Sequence, residues 1–244
     1  MRYSEMRKRL TEIAYLMELY FKRQTRIRNI ASILFSSIIY PLGLYFGIGH
    51  LIPRDQLVYY IAGLITLFFT TSALNGTAGW LAFDKSWDYL LLIKMLGPSI
   101  LDYAIAISLS QLLLALPGSI VIFLLYTSLN KLPILILTVL PLPIISGNIA
   151  TIITLLIKQY SIITVSSQIF SNLVSIFPPV FYSPSLLGIY GSVTKAIFTV
   201  DAAGAIRSIM NENVYNWIFY EIILLAYLAI TFLITKIISK VSPQ

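Results

Sequence analysis

Cysteine is absent from the chain. That excludes disulfides, thiolate nucleophiles and zinc–cysteine sites. Histidine occurs once, as His50. A metal site would need carboxylates alone, and these are scattered, so no metal site is expected. Charge is also scarce. Charged residues make up 11% of the chain and hydrophobic residues 58%, where a soluble domain carries about 25% and about 45–50%. The composition is that of an all-α membrane protein with several spans. The 244 residues are nearly consumed by spans and short connections, which leaves no room for a soluble catalytic domain. Catalytic motifs are missing too. There is no His-Glu-x-x-His, no Gly-x-Ser-x-Gly and no Gly-x-x-x-x-Gly-Lys-Ser/Thr phosphate loop, so no enzyme activity and no bound cofactor is expected in this chain.

A helix that crosses the hydrocarbon needs about 20 mostly apolar residues. Six stretches qualify: Ile30 to Gly49, Leu57 to Phe83, Tyr103 to Tyr126, Pro133 to Ile157, Ile162 to Phe181 and Val214 to Ile238. Residues 1–28 form a leader, and 29–244 the membrane domain. The net charge of +7 invites a nucleic-acid reading, but the basic residues sort by side. Arg2, Arg7, Lys8, Arg9, Lys22, Arg23, Arg26 and Arg28 precede the first span. Lys85, Lys94, Lys158, Lys236 and Lys240 fall on the same side, against Arg54, Lys131, Lys195 and Arg207 on the other. Basic excess marks the cytoplasmic face, which puts both termini inside. The charge then reads as a topology signal with anionic lipid as its contact, not as a nucleic-acid site.

In the leader, Met6, Leu10, Ile13, Ala14, Met17, Tyr20 and Phe21 recur at steps of three and four, as on one helix face. This predicts an amphipathic helix lying in the inner interface. The stretch DKSWDYLLLIKMLGPSI, from Asp84 to Ile100, is too charged to span and too apolar for an ordinary loop. Leu91, Leu92, Met95 and Leu96 form one face of a short helix, with Asp84, Asp88 and Lys94 turned to water. Gly97-Pro98 ends it. Such a helix lies on the membrane or fills a groove on another protein, and the residues alone do not choose.

Polar stripes mark two spans. Thr66, Thr70 and Thr77 share a face of the second, with Asn75 off it. Thr164, Gln168, Ser171, Asn172 and Ser175 share a face of the fifth. Polar groups cannot face lipid unsatisfied, so these faces point to helix packing or to a water-filled path. Prolines at Pro178, Pro179 and Pro184 break the apolar segment after the fifth span. It has room for two short helices that dip into the outer leaflet and return. Glu221 lies about two turns into the last span. A carboxyl at that depth is either a proton or cation ligand or a structural partner, for instance of Arg207.

The whole chain resembles the membrane subunit of an ABC-2 type ABC transporter. The basic amphipathic leader, six spans, a cytoplasmic helix after the second span and a long outer segment before the sixth carry the likeness. The resemblance implies that Asp84, Lys85, Trp87, Asp88, Leu91, Leu92 and Met95 couple the chain to a separate ABC ATPase subunit, which would bind ATP and Mg. The family's Gly-Thr pair is absent from that run. It also implies a second permease chain, with Thr66, Thr70, Thr77, Gln168, Asn172 and Ser175 along the substrate path. Pro178, Pro179, Phe181, Tyr182, Arg207 and Glu221 would form the outer gate. Arg207 matches a family arginine, while Val200-Asp201 stands in place of the family's Asn-Pro. The expected activity is ATP-driven export across the plasma membrane of an amphipathic or lipid-like cargo. The alternative is an ion-gradient transporter that uses Glu221.

Overall fold

The computed structural model describes residues 2–25, 38–95, 98–194 and 196–241. Residues 30–37 of the expected first span, Arg26, Arg28, Leu96, Gly97 and Lys195 lie outside the described residues. The elements are α1 (Arg2–Gln24), α2 (Tyr40–Ile48), α3 (Leu57–Ser86), α4 (Tyr89–Met95), α5 (Ile100–Leu124), α6 (Leu132–Val139), α7 (Pro141–Leu156), α8 (Tyr160–Ser175), α9 (Tyr190–Thr194), α10 (Phe198–Met210) and α11 (Val214–Val241). There is no strand among the described residues.

Four helical segments are long and apolar enough to cross a membrane: Leu57–Ser86, Ile100–Leu124, Leu129–Leu156 and Val214–Lys240. They correspond to the expected second, third, fourth and sixth spans. The fourth is interrupted at Leu140, where α6 passes into α7. Pro141 occupies the first position of α7, where its missing N–H costs nothing. Of the expected first span, the described part is α2, a helix of 9 residues. The expected fifth span is corrected. Its helix, α8, has 16 residues and stops at Ser175, which gives about 24 Å of length against about 30 Å of hydrocarbon. The apolar sequence runs on through Phe181, but Pro178 and Pro179 cannot continue the helix.

α3 is the centre of the bundle. At 30 residues it is about 45 Å long, and α5, α7, α8 and α10 all pack on it. Its core face carries Ile61, Leu64, Ile65, Phe69, Leu74 and Leu81. Close approach is achieved with small residues. A Cβ on Gly147 of α7 would lie 1.7 Å from Ser108 Oγ of α5, and Ser108 Oγ is itself 3.1 Å from Thr77 Oγ1 of α3. Glycine is therefore required where these three helices meet.

Two ends of the bundle follow from the chain path. The near end holds the end of α3, the start of α5 and the end of α7. The far end holds the start of α3, the starts of α6 and α11, and α10. α11 runs from the far end toward the near end, with Thr235 Oγ1 3.4 Å from the carbonyl of Asn148 in α7.

Gly147→Ala is expected to lower stability by about 1–3 kcal/mol through overpacking. Thermal unfolding of the detergent-solubilised protein reads this, and Ser108→Gly in the same chain should recover part of the loss.

Candidate functional site

At the near end α1 does not lie apart from the spans. It packs along α5. Arg9 Nη2 is 2.6 Å from Asp102 Oδ1, and Gln24 Nε2 reaches Ser110 Oγ at 3.4 Å, two turns further into the bundle. The expectation of an apolar face immersed in lipid is corrected for part of the helix. Tyr20 is buried and joins Leu81, Leu90, Tyr103, Ala104 and Ile107 in one apolar cluster, while Met6, Leu10 and Ala14 stay exposed.

A carboxylate organises this contact. Asp84 closes the last turn of α3 and is 1% exposed, so the expectation that it meets water is corrected. Its Oδ2 accepts from Tyr20 Oη at 2.6 Å and from Tyr103 Oη, and its Oδ1 lies 3.4 Å from Arg23 Nη1. The Arg23 guanidinium also stacks 4.4 Å over the Trp80 ring, a favourable seat for a planar cation. A buried carboxylate is tolerated only with such partners. One aspartate thereby joins α1, α3 and α5.

The neighbouring polar groups close helix ends. Ser99 caps α5, accepting from the Asp102 N–H at 3.2 Å while its hydroxyl donates to Asp102 Oδ2 at 2.6 Å. Lys85 Nζ donates to the carbonyls of Thr154 at 2.7 Å and Ile157 at 3.1 Å, where α7 ends and cations are favoured. Asp88 takes a left-handed φ of 57° between α3 and α4, a conformation aspartate tolerates better than most residues. Asp84 and Lys85 are therefore internal braces. Trp87, Leu91, Leu92 and Met95 remain on the surface, 64%, 54%, 53% and 77% exposed. They flank Leu90, which is anchored in the cluster around Tyr20.

The α8 stripe is met from α3 by a residue beside the threonine stripe. Asn75 Nδ2 of α3 donates to Ser171 Oγ of α8 at 3.2 Å, and Ser72 Oγ donates to Gln111 Oε1 of α5 at 3.4 Å. Thr66, Thr70 and Thr77 are wholly buried, and Thr66 donates to the carbonyl of Ala62 at 2.8 Å. These threonines are packed between the helices of the chain. Ser175 is also buried, whereas Gln168 and Asn172 point away from the bundle and are exposed. The sequence reading set Asn75 aside and missed Gln111. The period marks one face of one helix, not the partner across it.

At the far end α10 is buried along its whole length, between α3, α6 and α11. Arg207 Nη1 donates to the carbonyl of Val180 at 3.4 Å, and its guanidinium lies 4.8 Å over the Tyr59 ring. Pro178 and Pro179 are buried, and Phe181 fills the space beside Gly63. Tyr182 Oη is 3.5 Å from the carbonyl of Phe177. Of the residues predicted as a gate, Arg207 and Phe181 lie beside the start of α3, at Tyr59 and Gly63. Glu221 is half-buried on α11 and makes no ion pair among the described residues, so its pairing with Arg207 is not found. Lys131 reaches the carbonyl of Met210 at 3.4 Å and Glu212 Oε1 at 2.8 Å. The lysine holds the Glu212 carboxyl below the usual carboxylate range.

No group of side chains that would hold a metal ion occurs among the described residues. No protein-family model matches the chain, and no curated protein matches it either. The helices long and apolar enough to span make the chain compatible with a membrane protein.

Asp84→Ala removes the acceptor of two tyrosines and the counter-ion of Arg23. It is expected to destabilise the attachment of α1 by about 2–3 kcal/mol, less than for a wholly buried pair because Arg23 is 33% exposed. Because the chain has no cysteine, Leu16→Cys gives a single thiol. A water-soluble maleimide should label it faster in the Asp84→Ala background, and equal rates would show that the carboxylate does not hold α1.

Proposed function

We propose that the chain is the permease subunit of an ATP-driven exporter of the ABC-2 type. It works as a dimer in the plasma membrane with separate ATPase subunits that bind ATP and Mg. The near end and both termini are cytoplasmic in this reading. The segment Ile30 to Gly49 and α8 complete six membrane-inserted segments, and α10 with its flanking turns is the re-entrant outer element. The cargo is amphipathic or lipid-like, since few fixed charges lie along the interior.

The observation that carries this reading is the exposed apolar face of α4. Leu91, Leu92 and Met95 lie on a helix of 7 residues just beyond the ends of two spans. α4 follows directly on α3, and Leu90 shares an apolar cluster with Tyr20 and Tyr103, so force on α4 is passed to that cluster. A partner that pushes α4 therefore acts directly on the Asp84 junction. The chain lacks a phosphate loop, so the work of ATP hydrolysis comes from that partner.

Leu91→Asp with Leu92→Asp should abolish assembly with the ATPase and the stimulation of its hydrolysis, while thermal unfolding of the permease changes little. Unaltered assembly would refute the assignment of α4. The dimer predicts a second result. The exposed amides of Gln168 and Asn172 need polar neighbours if α8 faces the membrane interior, and a second copy supplies them. Asn172→Cys, as the sole cysteine, should give a chain-to-chain disulfide under mild oxidation in native membranes.

One observation favours the ion-driven alternative. Glu221 Oε1 is buried without a hydrogen-bond partner. Glu221→Gln separates the readings: it would abolish an ion-coupled mechanism and leave ATP-dependent transport largely intact.

A further inference from the structure

A cavity of about 180 Å³ opens at the far end, lined by Lys131, Ile134, Ile209, Glu212, Val214 and Trp217. It sits where two candidate spans begin, Leu129–Leu156 and Val214–Lys240. Trp217 in the first turn of α11 donates its Nε1–H to Thr138 Oγ1 at 2.8 Å, which fixes an indole at the level where tryptophan marks the membrane boundary. Apart from Lys131 and Glu212, the lining is mainly aliphatic and aromatic, with Ser208 and Asn213 as its uncharged polar members. The rim carries one charge of each sign, Lys131 and Glu212, 2.8 Å apart. Lys131 Nζ has three donors, of which two are directed at Met210 O and Glu212 Oε1. Glu212 is 77% exposed, so its carboxylate is open to a further partner.

We propose that this cavity binds one zwitterionic phospholipid. An acyl segment fills the space beside Ile134, Ile209 and Trp217. The headgroup phosphate takes the third donor of Lys131, and the headgroup ammonium approaches the carboxylate of Glu212. The argument for this occupant is charge complementarity at a fixed depth. A singly anionic lipid would satisfy Lys131 and leave its charge beside Glu212, and a neutral diglyceride would use neither group. The ion pair with Lys131 holds the Glu212 carboxylate at the rim. The site is independent of the transporter reading, since it requires only that the far end meets a membrane surface.

The test uses the full chain purified in mild detergent and native mass spectrometry. Phosphatidylethanolamine, phosphatidylglycerol and diacylglycerol are offered at equal concentration. One phosphatidylethanolamine should survive activation that strips the other lipids. Ile134→Trp, which fills the cavity, should lose it, whereas Ile136→Trp, about 200° round the same helix and outside the cavity lining, should keep it. Glu212→Lys should reverse the preference several-fold toward phosphatidylglycerol, and this variant decides the matter if Ile134→Trp fails to fold. Equal retention of all three lipids by the parent chain, or no change of preference in Glu212→Lys, overturns the proposal, as does retention by a folded Ile134→Trp.

Discussion

The burial of Asp84 is the constraint on which the near end depends. A carboxylate that is 1% exposed at the end of an apolar helix needs hydrogen-bond donors and a counter-charge. Tyr20 and Arg23 arrive from α1, and Tyr103 from α5. Meeting the needs of one side chain therefore fixes three helices at once. Arg9 and Asp102 fasten the other half of α1 in the same manner. The leader becomes a strut against the spans, and α4, rooted beside it through Leu90, inherits a rigid base.

The two ends of the bundle solve opposite problems. At the near end, charged side chains close helix termini and leave an apolar surface on α4 to be covered. At the far end, Pro178, Pro179 and Val180 turn inward after α8, and α10 is buried completely. Its last turn is closed by Lys131, and Arg207 of the same helix reaches back to the carbonyl of Val180. α3, α6 and α11 surround α10, so its backbone is enclosed by protein. In between, α3 meets its neighbours through glycine, serine, threonine and amide contacts, which let helices approach closely and specify their register.

Much of the helical framework was legible in the sequence, because apolar run length and helix length agree for α3, α5, α6 with α7, and α11. They part at α8. Hydropathy continues through Phe181, while Pro178 and Pro179 stop the helix, so the expected span is too long. Asp84 was misread because charge in a local window implies water, and its partners lie 19, 61 and 64 residues away. The stripe on α8 was legible only in part. At about 100° per residue, Gln168 and Asn172 fall on the flank of the face that carries Ser171 and Ser175. One flank packs on α3, and the other is left outside. Which residue answers from the opposite helix, such as Asn75 to Ser171 or Gln111 to Ser72, is a property of packing that no single-helix period contains.

The account rests on α4 as a docking element for a separate motor protein. A photo-reactive amino acid placed at Leu92 of the full chain, irradiated in native membranes, tests this contact where it would occur. The account predicts a covalent adduct with an ATPase that carries a phosphate loop, and none from the same probe at Leu137. Adducts with lipid alone, in membranes that contain such ATPases, would contradict it.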